Sequence, residues 1–228
     1  MKKILCGILC ASAGAALAVE SQVTTIDVIE VNSDLTNVVV AIPGLDLAGG
    51  DLAISNLVKT VNLKDGDKLF AFNDGTYQAW VLFGGKWVEV ASAEQDGDGK
   101  VAVAVGTPAS DKRMLVGAGI WLHRQDASKS FYIYGAHSDV LTSTAAAGKT
   151  TLVGNPTQTS KAPTSISTPS VGDQVIIPTA GLPITYTYRD SAWGYMRNGV
   201  LYTGLPSIAA GTGFWYVSKG ASNVTINW

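Results

Sequence analysis

Closely spaced carboxylates are one group of residues in this chain whose side chains could bind a metal ion or take part in catalysis. Glu94, Asp96 and Asp98, followed by Gly99, place oxygen ligands at alternate positions before a turn glycine, as the start of a calcium loop does. The position where an EF-hand needs its closing glutamate is Val105, so that loop is not completed. The pattern favours a solvated hairpin tip, with a weak extracellular calcium site as the alternative.

Residue types suited to hydrolysis also occur, but without the arrangement that a hydrolase needs. The segment His137–Asp139 reads His-Ser-Asp, yet neighbours on an extended segment point in alternating directions and do not form a triad. Asp65 and Asp67 are the kind of paired carboxylates that glycosidases use, although Asp65-Gly66-Asp67 is more typical of a turn. The sequence predicts a protein that is not an enzyme and has no cofactor, with a glycosidase-type hydrolase as one alternative.

Aromatic side chains are the better candidates for binding. Tyr77, Tyr195 and Tyr202 are predicted to form exposed platforms for a sugar ring or an apolar partner. Four tryptophans instead recur in two sets at matching positions, and a repeated landmark usually reflects a repeated fold. We therefore predict that these four fill the structural core: Trp87, Trp121, Trp193 and Trp215.

The matching positions come from an alignment of the chain with itself. Gly66-Asp67 matches Gly172-Asp173, and a tryptophan follows 21 residues after each of these glycines. The segment Gly117–Trp121 likewise matches Gly211–Trp215, and Val38–Pro43 matches Thr151–Pro156. Ordered landmarks at similar spacing predict an internal duplication, the alternative being chance similarity in a glycine-rich and aromatic-rich β protein.

The elements that must position these residues are short strands. Runs rich in Val, Ile, Thr, Tyr, Phe and Trp recur between Gly, Pro, Asn and Asp, a pattern that predicts an all-β, sandwich-like fold. Phe83-Gly84-Gly85-Lys86 and Asn198-Gly199 supply residues that tolerate a positive φ, as tight hairpins require. The only helical stretch expected after the N-terminal segment is a short one around Asp51–Lys59.

The first residues have the three parts of an export signal. Lys2-Lys3 is a basic start, Ile4–Leu17 is apolar, and Ala16–Ala18 is a small-x-small cleavage site. We expect cleavage after Ala18 and a mature protein that is secreted, periplasmic or on the cell surface. The apolar run is shorter than the roughly 20 residues of a membrane-spanning helix.

Composition limits the partners of the mature protein. Cys6 and Cys10 both lie in the expected signal, so no disulfide, thiolate ligand or cysteine nucleophile would remain. Without Lys2 and Lys3, 14 Lys and Arg stand against 18 Asp and Glu, with no basic cluster, which argues against nucleic acid as a partner. A charged fraction of 15% and a mean hydropathy of +0.21 leave self-association open.

These observations predict a division of the chain. Residues 1–18 are the signal peptide, 19–136 a first β module, 137–148 a connector and 149–228 a second β module. The segment Thr157–Ser170 has the Ser, Thr and Pro content of a linker, but the self-alignment places it inside the second module as a surface loop.

The end of the chain raises a further alternative. Val224, Ile226 and Trp228 alternate with polar residues and finish on an aromatic, as the terminal strand of an outer-membrane barrel does. Prolines such as Pro43 and Pro178 abut or interrupt the strands, which argues against that fold. A small outer-membrane β-barrel is kept as an alternative.

Short paired motifs carry one resemblance. Ala41-Ile42-Pro43 with Gly154-Asn155-Pro156, and Gly119-Ile120-Trp121 with Gly213-Phe214-Trp215, resemble landmarks of uncharacterised secreted β modules of Verrucomicrobia, Planctomycetes and Bacteroidetes-like bacteria. That resemblance implies export and a β fold, and it implies no activity. The residues therefore predict an exported binding or structural protein whose partner is a glycan or a cell-surface protein. The predicted signal peptide would also bind the export machinery.

Overall fold

The structure is a computed structural model of the chain. It describes residues 26–31, 37–42, 44, 52–59, 62–73, 76–95, 101–108, 113–126, 130–136, 142–157, 159–179 and 181–228. The expected signal peptide, residues 1–18, lies outside these ranges.

Short antiparallel strands make up more than half of the described chain. The strands are β1 (Ile26–Val31), β2 (Asn37–Ala41), β3 (Leu52–Ala53), β4 (Lys68–Asn73), β5 (Thr76–Phe83), β6 (Lys86–Gln95), β7 (Val101–Pro108), β8 (Arg113–Met114), β9 (Gly119–His123), β10 (Phe131–Ala136), β11 (Thr142–Ala145), β12 (Thr150–Gly154), β13 (Ser165–Ile166), β14 (Gln174–Ile177), β15 (Ile184–Arg189), β16 (Ala192–Arg197), β17 (Val200–Thr203), β18 (Gly213–Val217) and β19 (Val224–Asn227). A 3-10 helix, Ile54–Lys59, is the one helix in the described ranges. The all-β, sandwich-like prediction is confirmed.

Two six-stranded sheets dominate the architecture. Their strand orders are β2-β9-β4-β5-β6-β7 and β12-β18-β14-β15-β16-β17, and every neighbouring pair is antiparallel. Smaller sheets, β1-β10 with β3-β8 and β11-β19-β13, complete the two halves. Each strand of the first large sheet has a counterpart at the same place in the second, so the halves have the same topology. A common ancestry of the halves stays a prediction.

The two Gly-Asp dipeptides occupy the same turn in the two sheets. Gly66 and Gly172 have φ values of 94° and 91°, which are strained for residues with a Cβ. The Gly66 amide donates to Leu82 O at 2.8 Å, and the Gly172 amide donates to Tyr188 O at 2.9 Å. In each sheet this turn therefore joins the start of one strand to the end of the strand that follows it: β4 to β5 in the first sheet, and β14 to β15 in the second.

The aspartate of each dipeptide is buried and accepts hydrogen bonds from the backbone. Asp67 accepts from the amides of Lys64 and Gln125 at 2.9 and 2.8 Å. Asp173 accepts from the amides of Ser170 and Lys219 at 3.0 and 2.6 Å. A buried carboxylate is tolerated only when it is paired in this way, so each aspartate ties two neighbouring strands together.

Each half has its own hydrophobic core on one face of its large sheet. The first core is formed by Val40, Ile42, Ile54, Leu69, Ala71, Trp80, Leu82, Trp87, Met114, Ile120, Leu122 and Ile133. The second is formed by Ala145, Val153, Val175, Tyr186, Ile208, Phe214, Tyr216, Val224, Ile226 and Trp228. Alternate residues of a strand face opposite sides, so one face of each sheet builds the core and the other is left for different contacts.

The halves meet through reciprocal backbone contacts. The Ala41 amide donates to Gly211 O, and the Gly154 amide donates to Gly117 O, both at 2.9 Å. Any Cβ on Gly154 would collide with Ala41, so this glycine permits the close approach. Equivalent groups of the two halves contact each other in both directions, which is the signature of an approximate two-fold relation.

The predicted connector contains structure that belongs to the second half. Strand β11, Thr142–Ala145, lies within the predicted connector 137–148 and pairs with β19. Its sequence, Thr-Ser-Thr-Ala, contains no Val, Ile or aromatic residue, so the local signal for a strand is weak. The other boundaries of the two modules stay predictions.

The tight-turn predictions are confirmed where the structure describes them. Gly84 and Gly85 have φ values of 57° and 71°, and Asn198 and Gly199 have values of 50° and 77°. Two consecutive positive φ angles define the hairpin turn whose twist matches the flanking strands. No helix in the described part of the chain has the length and apolarity needed to span a bilayer.

Replacing the buried Trp87 tests the first core. Trp87 is 1% exposed, so we expect Trp87→Ala to lower the free energy of unfolding by about 3–5 kcal/mol, measured by urea denaturation. Phe83→Ala, on the same hairpin but 61% exposed, is the control and should change it by less than about 0.5 kcal/mol. Equal losses for the two variants would contradict the core placement.

Removing the Tyr216 hydroxyl tests the buried hydrogen bond between Tyr216 and Asp173 in the second half. Burial and the hydrogen bond from the Tyr216 hydroxyl to Asp173, 2.7 Å long, raise the pKa of Tyr216. The unfolded chain ionises this phenol near pH 10, so its contribution to stability is complete below pH 10 and is lost as the pH rises further. We expect Tyr216→Phe to cost about 1–3 kcal/mol at pH 7 and to show a smaller fall in stability between pH 10 and 11 than the parent. An unchanged pH slope would contradict this.

Candidate functional site

The candidate site begins with a three-strand meander of the second large sheet. In β15, Ile184, Tyr186 and Tyr188 alternate with two threonines, which gives the strand one apolar face. Asp190 and Ser191, with φ values of 49° and 64°, turn the chain into β16, and Asn198-Gly199 turns it into β17. These two-residue turns fix the register of the three strands.

That register builds a row of three tyrosines, which we call the aromatic ladder: Tyr186, Tyr195 and Tyr202. Tyr195 is directly opposite Tyr202 in the β16–β17 pair. Their ring centroids are 4.9 Å apart and their planes differ by 20°, so the rings are stacked. Tyr186 lies on the other side of Tyr195, at 4.8 Å and 58°. Burial and the nearby Tyr195 raise the pKa of Tyr186.

The ladder runs from the core to the surface. Tyr186 is buried, Tyr195 is half-buried and Tyr202 is 46% exposed. Strand β17 is the last strand of its sheet, and no described strand pairs with its outer edge. The ring of Tyr202 therefore has one face against Tyr195 and the other directed past the edge of the sheet.

The surroundings of the ladder's outer end are apolar and open. All four residues of β17 are exposed, and Val200, on the same face as Tyr202, is more than half exposed. Met196 and Leu201, also more than half exposed, lie opposite each other on the other face of this edge. Single exposed apolar residues are ordinary on a protein surface, whereas a contiguous group of them marks a binding surface.

Other aromatic rings support the ladder from the core side. Trp193 contacts Tyr188 at 5.3 Å and Tyr216 at 6.0 Å. Tyr216 is fully buried and donates its hydroxyl to Asp173 at 2.7 Å. This packing holds the strand that carries Tyr195, so the site has a rigid base.

The ladder is not a repeated feature of the two halves. Counting from the two Gly-Asp dipeptides, Tyr186 corresponds to Trp80, and Tyr195 corresponds to Glu89. Trp80 is opposite Glu89 in the β5–β6 pair, so the first sheet has a carboxylate where the second has the middle ring. The shared topology therefore does not require the ladder, and its presence in one half needs another reason.

The third tyrosine predicted as a platform lies elsewhere. Tyr77 is on β5, and its hydroxyl donates to Thr150 O at 3.3 Å, at the junction between the halves. Burial raises its pKa, and a hydrogen bond with the Trp215 side chain opposes that rise. The structure thus brings Tyr195 and Tyr202 together and leaves Tyr77 apart from them.

The four tryptophans predicted as core residues occupy three different environments. Trp87 is in the first core, and half-buried Trp193 packs against the second. Trp121 and Trp215 are half-buried and contact each other between the halves, with ring centroids 6.4 Å apart. They point away from the two cores because their neighbours in β9 and β18 take the core-facing positions.

The polar candidates from the sequence do not assemble into a site in the described structure. Glu94 lies in β6, while Asp96, Asp98 and the segment 137–139 fall outside the described residues. Within the described ranges, no group of three metal-ligating side chains is present. Asp65 accepts from the amides of Gly84 and Gly85 at 2.9 and 3.3 Å, as the turn interpretation predicts.

Comparisons with known proteins add nothing to this geometry. No family model matches the chain, and neither the curated proteins nor the solved structures gave a match. The resemblance to secreted bacterial β modules stays a prediction.

Sequence reasoning missed three neighbours in the site. Counting outward from the Asn198-Gly199 turn pairs Arg197 with Val200 and then Tyr195 with Tyr202. That simple register count, available from the sequence, would have placed Arg197 and Val200 beside the two tyrosines. The third, Tyr186, needed the register of the preceding hairpin as well.

A double-mutant cycle tests the stack. We expect Tyr195→Leu and Tyr202→Leu, made singly and together, to give a coupling free energy of about 0.5–1.5 kcal/mol by urea denaturation. The same cycle on Tyr195 and Tyr77, which do not touch, serves as the control and should give no coupling. Additive effects in the ladder pair would show that the stack does not form.

Proposed function

We propose that this chain is an exported, non-enzymatic binding protein that acts at the cell surface or outside the cell. Its ligand is a glycan, and the binding site is the outer end of the aromatic ladder. One observation carries the proposal: Tyr202, stacked on Tyr195 and 46% exposed, ends the row of rings at a sheet edge with which no described strand pairs.

The chemistry of a sugar fits that end of the ladder. A pyranose ring has a face of C–H groups that packs on an aromatic ring, whose π face carries partial negative charge. Tyr202 offers such a face at low entropic cost, because stacking on Tyr195 already holds its ring in place. The exposed edge of β17 adds backbone amides and carbonyls that bind hydroxyl groups.

The expected location supports a glycan rather than an internal metabolite. The basic, apolar and small-residue parts of 1–18 predict export, and polysaccharides are abundant outside the cell. The Asp65 and Asp67 carboxylates accept bonds from backbone amides, so their oxygens have a structural role. These points favour binding over glycoside hydrolysis.

Replacing the terminal ring tests the proposal. A screen of the mature protein on a glycan array identifies a bound glycan, and titration calorimetry measures its Kd. We expect Tyr202→Ala to weaken that Kd by roughly 10-fold to 100-fold, corresponding to about 1–3 kcal/mol for a stacked aromatic contact. Because Tyr202 is 46% exposed, the fold should survive the change.

Two other tyrosines provide matched controls. Tyr132→Ala removes a ring of similar exposure, 40%, from β10 in the other half and should leave the Kd unchanged. Tyr77→Ala distinguishes the ladder from the junction, since Tyr77 is also 46% exposed but lies between the halves. Loss of binding in Tyr77→Ala with full binding in Tyr202→Ala would move the site to the junction, and no binding to any glycan would refute the proposal.

A further inference from the structure

We infer that the glycan recognised at the aromatic ladder is anionic, with a carboxylate or sulfate group held by Arg197. This inference rests on the proposed function and names the chemical class of its ligand. The supporting observations are the position of Arg197 beside the ladder, the absence of a described acidic partner for it, and the distribution of charge between the two halves.

Arg197 lies on the same face of the sheet as the two outer rings. It is two residues after Tyr195 in β16, so both side chains point to one side, and it is directly opposite Val200 in β17. Two residues of an extended strand cover roughly 6.6 Å. The long side chain of Arg197 is exposed on this face, and we expect its guanidinium to approach a sugar ring stacked on Tyr202.

Among the described residues, no acidic side chain forms an ion pair with this arginine. Strands β16 and β17 contain no Asp or Glu. The one ion pair found among the described residues is between Lys64 and Asp126 in the other half. The nearest acidic residue along the chain is Asp190, in the turn at the opposite end of β16.

The second half as a whole is basic, although the protein is acidic. Residues 149–228 contain five Lys and Arg against two Asp and Glu, a net charge of +3, whereas residues 19–136 contain nine against fifteen, a net charge of −6. One of the two acids in the second half, Asp173, is buried and hydrogen-bonded. The half that carries the ladder therefore attracts anions, and its surface acid is Asp190.

The guanidinium suits the groups that make polysaccharides anionic. It is planar, always charged and donates in a fork that matches two oxygens of a carboxylate or sulfate. Uronic acids carry the carboxylate directly on the sugar ring, so a ring stacked on Tyr202 brings it close to Arg197. Stacking would provide the contact area, and the ion pair would select the charged sugar.

The test compares charged and neutral polysaccharides of matched backbone. Binding of the mature protein is measured by calorimetry against polygalacturonate, its methyl-esterified form, a sulfated galactan and the unsulfated galactan. We expect tighter binding to the charged member of one pair or both, and a Kd that rises with salt. Preference within the first pair assigns a carboxylate ligand, and preference within the second assigns a sulfate.

Arginine variants give the residue-level test. Arg197→Gln should weaken binding to the charged polysaccharide by roughly 10-fold to 100-fold, the effect of losing a hydrogen bond to a charged group. Arg189→Gln is the matched control because Arg189 is also exposed but lies at the end of β15, opposite Ala192 and at the other end of β16 from Arg197, and it should change the Kd less than 2-fold. Arg197→Lys keeps the positive charge but loses the forked arrangement of N–H donors, so its Kd should lie between those of Arg189→Gln and Arg197→Gln.

The outcomes separate this inference from the proposed function. Equal binding of charged and neutral forms, lost in Tyr202→Ala but kept in Arg197→Gln, would overturn the anionic ligand and leave glycan binding standing. Absence of binding to any polysaccharide would contradict both. Sedimentation velocity tests a third outcome. If the protein is a dimer and Tyr202→Glu makes it a monomer, the edge of β17 binds a second copy of the chain and the glycan assignment is overturned.

Discussion

The hydrogen bonds of the buried Asp173 carboxylate are the interaction on which the second half depends. They link the backbone before β14 to the backbone after β18, two strands that pair with each other. The same carboxylate accepts the hydroxyl of Tyr216, whose ring contacts Trp193 in β16. Loss of this carboxylate would leave two partly buried amides without their partner and would release the strand that carries Tyr195, so the geometry of the surface site begins with a buried carboxylate.

The two halves have the same strand topology, but the aromatic ladder is present only in the second. Positions that match between them, the Gly-Asp turns and the glycines at the junction, maintain turn geometry and close backbone approach. Tyr195 has Glu89 as its counterpart, and this position does not match. Because the topology is kept with either residue, the ladder adds a surface property to a fold that does not need it.

Local chemistry accounts for what could be predicted. The alternation in β15 and the positive-φ residues at Gly84-Gly85 and Asn198-Gly199 act over a few residues, so strands and turns follow from the sequence. Strand β11 has only small residues and is defined by its pairing with β19, some 80 residues later, which no local pattern records. Residue type and the weaker repetition of these positions predict Tyr195 and Tyr202 as platforms, but neither signal predicts that their rings touch.

The sequence by itself determined the all-β class, the hairpin turns and the repeated Gly-Asp and Trp landmarks. Only the tertiary structure decided which strand lies at the edge of the sheet, which tyrosines stack and that Tyr77 belongs to the junction. The physical reason is that strand order and burial arise from contacts between distant segments, whose energies depend on the whole packed molecule. The alternation of residues along a strand predicts which side chains share a face of the sheet. Packing decides whether that face contacts a core, the other half or solvent.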